Sequence, residues 1–147
     1  MDLFAIPILE NKINLDKSLE SKKDLIVPEF LCTIEGWKTK IKNLHWSTFN
    51  LNTHKLLDEI ADTVNNFQDS LAEDYMGIEG KLSSDFLKGY DILVDNTESL
   101  LKEMLNKTIS FYDTLNDSTL YKGIKSETES FIHNINKFIY LNSLCNY

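Results

Sequence analysis

Apolar residues recur every three or four positions along most of the chain, the spacing of a single helix face. Phe30, Ile34, Trp37, Ile41 and Leu44 form the first such series. Pro28 ahead of them is at home in a first helical turn, so a helix is predicted from Pro28 to about Phe49. Asn50-Leu51-Asn52 is a short connection, and Thr53 can cap the next helix. Leu57, Ile60, Val64, Phe67 and Leu71 predict that second helix to about Tyr75, with Gly77 and Gly80 as its stop. A third runs from about Asp95 on Leu100, Leu101, Met104, Leu105, Ile109 and Tyr112, until Asn116-Asp117-Ser118 breaks it. A fourth fills the rest, with Phe131, Ile135, Phe138, Ile139 and Leu144. Between the second and third, Ser83, Ser84 and Gly89 surround Phe86 and Leu87, which predicts a short helix within a long crossover.

No strand pattern, repeat or low-complexity segment competes, so the fold class is all-α. Four helices, a short first link and a long second one make a four-helix bundle of ferritin-like topology over residues 28–147, with a bundle of another connectivity as the alternative. The 147 residues are enough for one core and too few for two. Residues 1–27 lack sustained periodicity and carry Asp2, Glu10, Asp16, Glu20 and Asp24 against Lys12, Lys17, Lys22 and Lys23. That near-neutral mixture reads as an N-terminal arm, ordered or mobile, and not as a DNA-binding one.

Charge narrows the function classes. All 15 basic residues are Lys, against 23 acids, for a net charge of −8. Such a surface repels phosphate, and with no Arg no bidentate contact to guanine can form, so strong direct DNA binding is not expected. Two cysteines, Cys32 and Cys145, do not make a disulfide framework and read as thiols in a reducing compartment. No run approaches the roughly 20 apolar residues of a membrane span. Phe4 to Leu9 has no basic residue before it, which makes a poor signal peptide. A soluble, cytoplasmic protein is expected.

The chemistry-bearing pattern is a second stripe on the second helix. At about 100° per residue, the apolar series from Leu57 to Leu71 occupies about 220–300° of the helical wheel measured from His54. His54, Asp58, Asp69 and Glu73 fall at about 0–100°, facing away from the chain's own core. Ala61, Asn65 and Ala72 share that face and are small enough to admit another helix. His54 and Asp58 are one turn apart, as are Asp69 and Glu73, but the two pairs are separated by about 16 Å along the axis. One chain cannot close both pairs around one metal. The pairs are nevertheless symmetric about the midpoint between Thr63 and Val64, so an antiparallel copy would set His54 beside Glu73 and Asp58 beside Asp69 of its partner. A two-fold dimer would then hold two equivalent sites. The alternative is a solvated acidic face. His45 changes that balance: eleven residues after Ile34, it lies on nearly the same helical angle, turned inward or toward the seam with the second helix, and Trp46 follows it.

His45-Trp46, His54-x-x-x-Asp58 and Asp69-x-x-x-Glu73, the last reading Asp69-Ser70-Leu71-Ala72-Glu73, together resemble the signature of the Dps-type mini-ferritins. The likeness extends over roughly residues 28–145; its specific part is His45 to Glu73. It implies an iron site shared across a two-fold axis, with His45, His54 and Asp58 from one chain and Asp69 and Glu73 from the other. It also implies a mono-iron or di-iron ferroxidase that oxidises ferrous ion with peroxide or oxygen, stores the ferric product inside a dodecameric shell and limits oxidative damage. Trp46 would lie near the irons and quench stray oxidising equivalents. Zinc or manganese suits the same carboxylate and imidazole donors, so iron itself comes from the resemblance. The Glu-x-x-His motif of ordinary ferritins does not occur: Met76 lies three past Glu73 and Ile132 three past Glu129. His133 therefore reads as a structural residue of the fourth helix.

The chain departs from the family pattern in several places. The link between the first two helices is about three residues shorter and lacks its Gly-Pro-bearing loop, which could rotate His54 relative to His45. Asp74 stands where the family commonly has Arg, and a Lys-rich tail is absent. These departures keep open a non-catalytic, ferritin-like structural or assembly subunit with a degenerate metal site. In the resembling family, polar pores form near the start of the last helix. Here that region holds Asp113, Asp117, Glu127 and Glu129 with Lys122 and Lys125 interleaved. Asp117 or Glu127 is the expected pore residue, with simple capping of the fourth helix by Asp117 as the alternative.

Overall fold

The computed structural model describes residues 25–145. Four helices account for most of them: α1 Ile26–Ser47, α2 Leu51–Glu79, α3 Thr97–Thr114 and α4 Lys122–Ser143, with a single 3-10 turn, Thr119–Tyr121, ahead of α4. No strand occurs among the described residues. The expected N-terminal arm lies outside them except for Leu25, Ile26 and Val27, and Ile26 already belongs to α1.

The apolar series meet in one core. Ile34, Trp37, Ile41, Leu57, Ile60, Val64, Leu71, Leu100, Leu101, Met104 and Ile135 are each at most 1% exposed. Each such aliphatic side chain contributes about 1.5–3 kcal/mol by leaving water. Two stacked phenylalanine pairs tie helices distant in sequence: Phe30 with Phe111, centroids 4.0 Å apart, and Phe67 with Phe131, 4.1 Å apart. Gln68, though polar, is 5% exposed because its amide is fully engaged. It accepts from Lys38 Nζ at 2.9 Å and donates to Glu35 Oε2 at 2.9 Å and to the Leu31 carbonyl at 3.3 Å.

These contacts fix the helix directions. Phe30 is level with Phe111, and Trp37 Nε1 donates to Glu103 Oε2 at 3.1 Å, so α1 and α3 run antiparallel. Gln68 reaches Leu31 and Glu35, so α2 also opposes α1. The Tyr121 hydroxyl donates to Glu79 at 2.9 Å and Asn50 Nδ2 to the Cys145 carbonyl at 2.6 Å, which places α4 antiparallel to α2. With α1 taken as up, the order is up, down, down, up, and the segment between α2 and α3 climbs the length of the bundle.

The short helix expected within this crossover is replaced by irregular chain. The crossover holds no helix; its only regular feature is a turn at Ser84-Asp85, where the Asp85 N–H donates to Ser83 Oγ at 3.3 Å. Ser83, Ser84 and Gly89 are weak helix formers, and Ser83 Oγ takes the Asp85 N–H that a helix would use. The crossover lies tightly on α1 at Gly36, where an added Cβ would collide with the Tyr90 carbonyl oxygen, and the Tyr90 N–H donates to the Cys32 carbonyl at 3.1 Å.

Smaller corrections concern ends and faces. Asn50, not Thr53, caps α2: its Oδ1 accepts from the Thr53 N–H at 3.0 Å. The helix passes through Gly77 and stops at Gly80, whose φ of +99° is the conformation a side chain would resist. Ile109 and Leu144 are exposed, at 40% and 49%, while Thr108 and Phe111 face the core of α3 in their place. α4 stops at Ser143.

Candidate metal centre

The corner between α1 and α2 brings three titratable side chains together because its link is so short. α1 ends with the Thr48 N–H bonded to the Leu44 carbonyl at 3.0 Å, and two residues later Asn50 caps the start of α2. The last turn of α1 and the first of α2 therefore lie side by side. His45 and His54 stack ring on ring, centroids 3.8 Å apart and planes at 25°. The short link, which left a rotation of His54 relative to His45 open, sets the two imidazoles face to face.

Hydrogen bonding orients His54. Its Nδ1 lies 3.1 Å from the backbone carbonyl of His45, an acceptor only, so Nδ1 is the donor of this pair. His45 Nε2 is sealed from water and lies 2.9 Å from Asp58 Oδ1, without the alignment of a hydrogen bond. Asp58, one turn beyond His54, has a side chain 64% exposed. Ligand atoms of His45, His54 and Asp58 all lie within 4.8 Å of one another. Two imidazoles and one carboxylate suit iron, zinc or manganese, and a sealed nitrogen lacking an aligned partner is an atom that a cation would complete.

Asp69 and Glu73 stand outside this cluster. Both are exposed on the outward stripe of α2, about three and four turns past Asp58. Trp46 points to solvent, 75% exposed, and Phe49 and Leu51 beside it are exposed as well. His133 is an exposed residue of α4.

The acids expected at a pore have other partners. Glu127 pairs with Asp74 across the seam of α4 and α2. Burial, and then the hydrogen bond to Asp74, push its carboxyl up to about 7, and its Oε2 is sealed without a hydrogen-bond partner. Asp74 thus has a protein partner on α4 rather than being a free charge beside the stripe. Asp117 lies 2.5 Å from Lys125 Nζ, a contact that holds its carboxyl below the usual range. It does not cap α4, which starts at Lys122 directly after the 3-10 turn, with Tyr121 in the N-cap position and no side-chain cap.

Asn50 is the residue of this corner that the sequence pattern passed over. An Asn three residues ahead of Thr53 carries the capping signal, but the helix-entry series pointed equally to Thr53. The chain matches no protein-family model, no curated protein and no solved structure.

Proposed function

We propose that this chain is a Dps-like, iron-binding ferroxidase and iron-storage protein whose site forms at the α1–α2 corner. The observation that carries the reading is the convergence of His45, His54 and Asp58 within 4.8 Å. The up, down, down, up order with one long crossover supports a ferritin-like bundle. The net charge of −8 favours cation capture. Ferrous ion is the substrate: each peroxide takes one electron from each of two ferrous ions, together with two protons, and leaves as water.

In this reading Asp69 and Glu73 serve the corner of a second copy. Their symmetry with Asp58 and His54 about the Thr63–Val64 midpoint sets two α2 helices antiparallel across a two-fold axis. The same symmetry pairs Leu51, 64% exposed, with Met76 of the other copy, and the exposed Trp46 and Phe49 flank that contact. A dodecameric shell built from such dimers would store the ferric product.

Anaerobic ferrous titration tests the proposal. Saturable binding followed by peroxide-driven oxidation, both lost in Asp69→Ala/Glu73→Ala, is the expected result; binding no greater than that variant's overturns it.

The second reading is a non-catalytic ferritin-like assembly subunit. The 2.9 Å approach of His45 to Asp58 favours it, because that pair closes the corner with no ion required. Ferrous binding no greater than that of the Asp69→Ala/Glu73→Ala variant would support it.

A further inference from the structure

We infer, resting on the metal-binding reading of the corner, that Asn50 is a positioning residue of the site and that through it the last turn of α4 sets how well His54 meets a cation. Three of its four bonds tie Asn50 to α2 and to the end of α4. Its Oδ1 accepts from the Thr53 N–H at 3.0 Å, its backbone carbonyl accepts from the His54 N–H at 2.9 Å, and its Nδ2 donates to the Cys145 carbonyl at 2.6 Å. The first two fix the opening turn of α2, on which His54 sits one turn after Asn50. The third fastens that turn to the far end of the sequence.

The anchor at that end is firm. Cys145 is 7% exposed, its thiol donates to the Leu141 carbonyl at 3.4 Å, and its N–H donates to the Asn142 carbonyl at 3.1 Å. The carbonyl that receives Asn50 is thus held by α4 itself. On the other side, the link to α1 is three residues long, with the Asn50 N–H bonded to Thr48 Oγ1 at 3.2 Å. With both sides tied, α2 has no freedom to turn about its axis at its start. That keeps His54 Nδ1 on the His45 carbonyl and its imidazole within 4.8 Å of the ligand atoms of His45 and Asp58. Orienting partners of this kind typically govern metal affinity by about 10–100-fold.

The test separates capping from bridging. Asn50→Ser keeps a good helix cap, but its hydroxyl is too short to hold both Thr53 and Cys145. Asn50→Asp also caps; it cannot donate to the carbonyl, and its added charge alone would strengthen cation binding. Asn96→Ser is the control, since Asn96 caps α3 in the same manner, accepting from the Ser99 N–H at 2.8 Å. Cobalt(II) is titrated into each full-length protein, with its visible absorption spectrum and the thermal midpoint recorded. Wild type and Asn96→Ser are expected to bind alike, while both Asn50 variants bind about tenfold more weakly with an altered cobalt spectrum. In zinc-loaded wild type, ring 15N shifts of His54 should show a protonated Nδ1 and a coordinated Nε2, and Asn50→Ser should mix the two tautomers. If wild type binds cobalt and the Asn50 variants match Asn96→Ser in affinity and spectrum, Asn50 is only a cap and the inference fails. If wild type binds no cobalt, the metal reading fails and takes the inference with it.

Discussion

His45 and His54 lie face to face, 3.8 Å between ring centroids, although a helix end, a three-residue link and a new helix start separate them. Their contact is a product of the turn. Antiparallel helices joined so closely must place the last turn of one against the first turn of the next, and both turns here carry an imidazole. The carbonyl of His45 then fixes which nitrogen of His54 is available, and Asp58 stands one turn on.

The first prediction concerns that cluster. His54→Ala and Asp58→Ala should each weaken zinc or cobalt binding by at least about tenfold. Asp58 is largely exposed, and an exposed ion pair contributes about 0–1 kcal/mol, so Asp58→Ala should leave the thermal midpoint within a few degrees of wild type. Isothermal titration alongside thermal unfolding checks both. An Asp58→Ala protein that binds zinc as wild type does would remove Asp58 from the site.

A second prediction comes from the two-fold reading. Mixing Asp58→Ala chains with Glu73→Ala chains gives hybrid dimers in which one site carries both lesions and the other carries none. Subunit exchange or co-expression should restore peroxide-driven iron oxidation above that of either pure variant. Failure of every hybrid to recover would rule out a site shared between chains.

A third concerns the Asp74–Glu127 pair. Glu127 is pushed up to about 7 in the folded protein from an ordinary value of 4.5, so between these pH values the folded chain holds a proton that the unfolded chain releases. The pair's stabilisation is complete below pH 4.5 and is lost as pH rises through about 7. Partial solvation and the sharing of one proton limit the loss to about 1–2 kcal/mol. Glu127→Gln should flatten this slope and be the more stable protein at pH 8. Thermal unfolding of both proteins from pH 5 to 8 decides it, and parallel curves would contradict the pairing.

The last prediction tests the crossover. Gly36→Ala drives a Cβ into the Tyr90 carbonyl oxygen, which is backbone and cannot swing aside. Overpacking of this kind costs about 1–3 kcal/mol. Gly77→Ala meets nothing within 4 Å and replaces Gly inside a helix, so it should be neutral or stabilising. Denaturant unfolding of the two variants should therefore move in opposite directions, or in one direction only for Gly36→Ala.

Four helices were legible from residue order alone, because each rests on a local rule: an apolar residue every three or four positions from Phe30 to Ile41, from Leu57 to Leu71, at Leu100, Leu101 and Met104, and at Phe131, Ile135 and Phe138. Residue order also placed His54, Asp58, Asp69 and Glu73 on one outward stripe, since helical angle depends on residue number alone. Which of them meet is a matter of tertiary structure. His45 reaches Asp58 across a three-residue link, and Asn50 beside it bonds to Cys145, ninety-five residues away in sequence. The crossover forms no helix, because Ser83 takes the Asp85 N–H locally and Tyr90 bonds to Cys32 of α1. Ile109 lost its core place to Thr108 and Phe111 because Phe111 stacks on Phe30 of α1. Glu127 gained a partner in Asp74 only when α4 packed against α2. Periodicity records which face of a helix is apolar; the rotation of each helix against its neighbours is fixed by side chains far apart in the chain, and no local pattern encodes it.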